Sequence, residues 1–100
     1  MIRRKMKRQE IIALIKELLI RYNASYAILF GSYARKEETN DSDIDLVIVG
    51  GENFHPSDIF DLGEDLREMT GKNADVFEIR ELDADTDFYR TVMAEGVRIA

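Results

Sequence analysis

Two aspartates, Asp43 and Asp45, follow a glycine–serine step, Gly31-Ser32, across a short polar stretch. Side chains alternate along a strand, so carboxylates at i and i+2 point to the same side. Such a pair repels itself unless a cation lies between the two groups. The chain has no cysteine, and its single histidine, His55, precedes Pro56 in a loop-like stretch. The available donors are therefore hard oxygens, which suit Mg²⁺ or Mn²⁺ and not zinc. Gly31 lets a phosphate approach the backbone, while the Ser32 hydroxyl and neighbouring N–H groups can donate to it. Arg35 is a further phosphate candidate. Asp75 heads a later apolar run and offers a third carboxylate. The three acids would complete a two-metal site, with ions about 3.5–4 Å apart. The chemistry this suits is attack of a hydroxyl on a nucleoside triphosphate. Asp75 would serve as the base or as the ligand that orients the nucleophile.

The elements around these residues must bring them together. Met6 to Tyr22 carries apolar residues at three- and four-residue spacing (Ile11, Ile12, Ile15, Leu18, Leu19, Tyr22) and reads as a helix. Asn23 suits the left-handed residue that closes it. Tyr26 to Phe30 is an apolar run stopped by Gly31 and reads as a strand covered on both faces. Ser32 to Glu38 suits a helical turn or two, and Thr39 to Ser42 a loop. Asp43 to Val49 is a second strand, with Asp43, Asp45, Val47 and Val49 on one face. A helix opening at Pro56 carries Ile59, Leu62, Leu66 and Met69 and ends at Gly71. Asp75 to Ile79 is a third strand, and Asp83 to Glu95 a last helix ended by Gly96.

The second strand, its helix and the third strand are long enough for a right-handed parallel crossover. The first strand ends at Gly31 and the second starts near Asp43. These two must run antiparallel for Gly31, Ser32, Asp43, Asp45 and Asp75 to surround one cleft. The expected fold is thus α/β (α+β), a small mixed sheet flanked by helices, in a single domain over residues 1–100.

At 100 residues, 45% hydrophobic and 34% charged, the composition is that of a soluble globular protein. No apolar run reaches the roughly 18 residues of a membrane span. Lys16 and Glu17 interrupt the apolar Ile11–Ile20 stretch, which argues against a signal peptide. A cytoplasmic location is expected. Net charge is −6, yet Arg3, Arg4, Lys5, Lys7 and Arg8 crowd the first ten residues. The acidic remainder would repel nucleic acid, so no direct nucleic-acid partner is expected. The basic tip reads first as a solvated first turn or frayed terminus, and otherwise as a contact for RNA or an acidic partner. Tyr33 reads equally as a base-stacking ring or a packing residue. Ser32 can cap a helix as well as hold phosphate. Ile11, Leu18, Phe54, Phe60 and Phe88 are core residues first, with a homo-oligomer or partner surface left open.

Gly31-Ser32-Tyr33-Ala34-Arg35 followed by Ser42-Asp43-Ile44-Asp45-Leu46 resembles the signature of the DNA polymerase β nucleotidyltransferase superfamily. Within it, the chain resembles the minimal nucleotidyltransferases (MNT proteins), and Glu95-Gly96-Val97 within Phe88–Ile99 resembles that family's C-terminus. Lys36 departs from the pattern, since relatives often carry glycine there. The resemblance implies a polymerase β-like fold, bound Mg²⁺ and a nucleoside triphosphate such as ATP. It also implies pairing with a HEPN protein, a ribonuclease toxin whose MNT partner is the antitoxin. In some such pairs the MNT protein transfers AMP from ATP to a HEPN tyrosine. The expected activity is therefore Mg-dependent transfer of AMP, or another NMP, to a hydroxyl of a partner protein. The alternatives are a non-catalytic antitoxin that masks a HEPN toxin, and a small-molecule nucleotidyltransferase. The last usually needs an acceptor domain for which 100 residues leave no room.

Overall fold

The computed structural model describes residues 6–100. Arg3, Arg4 and Lys5 of the basic tip lie outside the described residues. Helix α1 (Arg8–Arg21) buries Ile11, Ile15, Leu18 and Leu19, the stripe set by helical spacing. Asn23 follows with φ 59°, the left-handed conformation expected of it. Strand β1 (Tyr26–Phe30) leads into a single 3₁₀ turn, Gly31–Tyr33, shorter than the one or two helical turns expected over Ser32–Glu38. Strand β2 (Ile44–Val49), helix α2 (Asp58–Thr70) and strand β3 (Ala74–Glu78) form the crossover. Helix α3 (Asp87–Glu95) is followed by a short strand, β4 (Val97–Ile99).

The sheet order is β3-β2-β1-β4. β1 runs antiparallel to β2, and β3 runs parallel to β2, as the convergence of strand ends requires. β4 pairs antiparallel with β1, with Leu29 opposite Val97. Gly96 makes that return possible. A Cβ there would sit 2.3 Å from Ile28 Cγ2 and 2.4 Å from the Val92 carbonyl oxygen, so only glycine fits between α3 and β1.

The two faces of the sheet differ. Ala27, Leu29, Ile44, Leu46, Ile48 and Ala74 pack with the buried stripes of α1 and α2 into the main core. Ile28 and Val47 face the other way, against Val92 of α3, with Phe30 and Phe77 partly buried beside them. Each fully buried Leu or Ile contributes about 1.5–3 kcal/mol, so the main core fixes the strand register. A one-residue slip of β2 would drive Asp45 into that core and expel Leu46. The fold thereby places Asp45 on the α3 side of the sheet.

All three helix starts differ from the sequence expectation, α1 beginning at Arg8 and not Met6. Pro56 sits in the turn before α2, where its carbonyl accepts from Ile59 N at 3.2 Å. Residues 83–86 form a turn, and Thr86 Oγ1 accepts from Tyr89 N at 3.2 Å to cap α3. No helix among the described residues is long and apolar enough to cross a membrane.

Candidate active site

β2 is the centre of the site. Asp45 lies opposite Phe30 of β1 on one side and opposite Asp75 of β3 on the other. Residues in register on neighbouring strands present their side chains on the same face. Asp45 and Asp75 therefore share the α3 side. Asp43 stands one residue before β2 and is exposed, as is Asp75, while Asp45 is half-buried.

The end of β1 closes on the same point. Gly31 has φ 71°, a left-handed conformation that side chains resist. A Cβ on Gly31 would come within 2.3 Å of Asp45 Oδ2. Glycine is thus required twice, by backbone conformation and by the carboxylate pressed against it. The carbonyl of Gly31 accepts from Ala34 N at 3.1 Å and Arg35 N at 3.2 Å, and the Ser32 carbonyl accepts from Glu37 N at 2.9 Å. These bonds fold the turn that carries Ser32.

The electrostatics follow from this crowding. Burial pushes the Asp45 carboxyl above the usual carboxylate range, and the charges of Asp75 and then Asp43 push it further. The Arg35 guanidinium opposes them. Arg35 is itself held by two acids, its Nε 2.8 Å from Glu37 Oε1 and its Nη1 3.6 Å from Glu95 Oε2.

Among the described residues, no three His, Cys, Asp or Glu side chains are arranged to hold a metal ion by themselves. The donor set nevertheless fits Mg²⁺. That ion is ordinarily held by one or two carboxylates with substrate phosphates and water completing the shell, not by an all-protein cage. The mutual repulsion felt at Asp45 is what a bound cation would relieve.

Two features were absent from the sequence reading. Glu95 of α3 reaches the turn after β1 through Arg35. The rings of Phe30, Phe77 and Phe88 form a cluster beside the acids, with centroids 5.5 Å apart for Phe30–Phe88 and 5.7 Å for Phe77–Phe88. The i, i+2 relation of Asp75 to Phe77 and the pairing of Phe30 with Asp45 could have signalled that cluster. Tyr33, for which the sequence left base stacking and packing open, is 2% exposed and packs in the main core. Of its two readings the structure supports packing. Ile11, Leu18 and Phe54 are likewise core, while Phe60 and Phe88 remain exposed.

Residues 13–100 match the family model described as Polymerase beta, Nucleotidyltransferase. The chain belongs to the polymerase beta nucleotidyltransferase family. As a member of that family it is a nucleotidyltransferase on a polymerase β-like fold. It is 39% identical over 67 residues to MJ0435 of Methanocaldococcus jannaschii, provisionally named a protein adenylyltransferase, spanning 67% of this chain and 72% of that one. A solved structure provisionally named a minimal nucleotidyltransferase superposes with TM-score 0.74 at 26% identity, over 92% of this chain and 95% of its own. Two further structures share the fold. One is a toxin–antitoxin crystallised with AMP-PNP (TM-score 0.75, 20% identity, 89% and 72% of the chains). The other is a tri-AMPylated Shewanella oneidensis HEPN toxin in complex with an MNT antitoxin (TM-score 0.72, 19% identity, 94% and 72%). This nucleotidyltransferase therefore resembles the minimal members of its family over most of their length.

Proposed function

We propose that the protein transfers AMP from ATP to a hydroxyl of a partner protein, as the antitoxin of a HEPN/MNT pair. The observation that carries this reading is the contact of Gly31 with the Asp45 carboxylate, at the point where Asp75 stands in register. A phosphate-accepting turn and an acid cluster meet there.

Asp43, Asp45 and Asp75 would hold Mg²⁺, as two ions, with Mn²⁺ an alternative of the same donor chemistry. When bound, the metal supplies charge neutralisation for the triphosphate and lowers the pKa of an attacking hydroxyl. The chain's own groups supply the rest. Gly31 keeps the turn clear for the triphosphate, and the Ser32 hydroxyl and nearby N–H groups donate to its oxygens. Arg35 exchanges its carboxylate partners for phosphate oxygens. Asp75 accepts the proton of the acceptor hydroxyl, whose oxygen bonds to the α-phosphorus as the bond to pyrophosphate breaks. Phe30, Phe77 and Phe88 shield one side of this site from water, which strengthens the charge interactions within it.

The name of MJ0435 supports protein as the acceptor class, and the HEPN complex sharing the fold supports the partner class. An Asp43→Asn, Asp45→Asn double variant should bind its HEPN partner but transfer no AMP to it. A double variant that still neutralises the toxin fully would favour the masking antitoxin. Wild-type transfer to small hydroxyl compounds in place of the partner would favour the small-molecule enzyme.

A further inference from the structure

A cavity of about 620 Å³ lies between the start of α1, the loop after Tyr33 and the end of α2. That volume is within the range of about 300–1,000 Å³ found for small-molecule sites. Asp43, Asp45 and Asp75 do not line it. It sits behind the sheet, on the α1/α2 side, whereas Asp45 and Asp75 face α3.

The lining pairs cations with one unusual acid. Among the described lining residues, Lys7, Arg8 and Lys72 contribute three positive groups against a single carboxylate, Glu38. Two of the cations are anchored. Arg8 Nε donates to the Tyr33 carbonyl at 2.9 Å, and Lys72 Nζ donates to the Asn40 carbonyl at 2.7 Å. Neither bond exhausts its donors, since a guanidinium carries five N–H bonds and an ammonium three. Glu38 is the opposite case. Its Oε1 is buried with no hydrogen-bond partner. A buried acceptor left without a donor is unfavourable, and the more so when charged.

A ligand that satisfies this lining carries an anionic group for the cations and an N–H or O–H donor for Glu38. A nucleoside monophosphate has both, with a phosphate at one end and sugar hydroxyls and ring amines at the other. We propose that this cavity is a second binding site, specific for a nucleoside monophosphate. The phosphate sits among Lys7, Arg8 and Lys72, and a base or sugar donor bonds to Glu38.

The two sites can be separated by chelator. In EDTA the acid cluster repels a phosphate, while the basic cavity does not need metal. Isotope-labelled full-length protein, titrated with AMP in EDTA, should show saturable amide shifts at Arg8, Thr39 and Lys72. Inorganic phosphate should bind the same residues more weakly, and adenosine should not bind. Lys72→Gln, or Lys7→Gln should the first not fold, should weaken AMP about tenfold, as loss of one charge-assisted bond predicts. Glu38→Ala should reduce AMP affinity to that of inorganic phosphate and leave phosphate unchanged. Shifts centred on Ser32 and Asp45 would overturn the proposal. So would equal binding of AMP and phosphate by wild type, or AMP affinity indifferent to all three substitutions.

Discussion

Asp45 and Asp75 stand opposite one another across the parallel β2–β3 pair, with Gly31 closing on Asp45 from β1. Two like charges in register oppose folding in the absence of a cation. The site is thus arranged for its ligand at some expense to the metal-free protein.

That expense is measurable. Asp45→Asn removes one of the repelling charges from a half-buried position, so the metal-free variant should melt about 4 °C higher than wild type. The same change should reduce AMP transfer at least about a hundredfold. Scanning calorimetry in EDTA and a transfer assay check the two halves. A variant both less stable and fully active would contradict this role for Asp45.

Gly31→Ala should harm both fold and function. The new methyl meets the Asp45 carboxylate, and φ 71° is unfavourable for alanine. The expected loss is about 2 kcal/mol, or roughly 10 °C in melting temperature. Transfer should fall at temperatures where the variant is still folded, because Asp45 has been displaced. Unchanged transfer by folded Gly31→Ala would show that this contact is not needed.

Lys36 occupies a left-handed conformation, with φ 59°. The family pattern that the sequence resembles has glycine at this point, and this backbone conformation favours glycine over a side chain. Lys36→Gly should raise the melting temperature by about 4 °C, since the left-handed strain on a side chain exceeds the added freedom of the unfolded chain. A lower melting temperature would show that the lysine side chain makes a stabilising contact of its own.

Tyr22 joins α1 to α2 through its hydroxyl, which donates to Asp65 Oδ2 at 2.5 Å. That bond to a carboxylate, with burial second, pushes the phenol up to about 12 from its ordinary 10.0. The folded pKa lies above the unfolded one, so the bond's contribution is complete below pH 10 and disappears as pH rises from 10 to about 12. Tyr22→Phe should therefore cost about 1 kcal/mol at pH 7, and the gap from wild type should close towards pH 12. Denaturant unfolding of both proteins at several pH values checks it. A gap independent of pH would mean that the hydroxyl contributes by packing.

Much of this was legible in the residues themselves. Asp43-Ile44-Asp45-Leu46 alternates acid and apolar side chains, which set the strand, its faces and the acids' side of the sheet. The apolar stripe of α1 and the parallel crossover could be read in the same way, because helix and strand periods are local properties. The missing pieces depend on contacts distant in sequence. β4 is three residues long, Val97-Arg98-Ile99, and becomes a strand only by pairing with Ala27–Leu29. Arg98 then stacks over the Tyr26 ring, 3.8 Å from its centroid. Glu95 meets Arg35 across sixty positions of chain, which no spacing rule anticipates. Glu78 is buried despite its charge, because Arg80 returns to it with both backbone and side-chain donors at 2.6 and 2.9 Å. The residues that could do chemistry were visible by type, and the expected parallel crossover already put Asp75 beside Asp45; the β2–β3 register adds that the two stand directly opposite.

The most direct measurement follows the two ends of ATP separately. The protein and the proposed HEPN partner are incubated with Mg²⁺ and ATP labelled either at the α- or at the γ-phosphate. Label from the α position should appear on the partner and depend on Asp43 and Asp45, while label from the γ position should leave as pyrophosphate. Partner labelling from the γ position, or α-label transfer that survives loss of both aspartates, would contradict AMP transfer at this site.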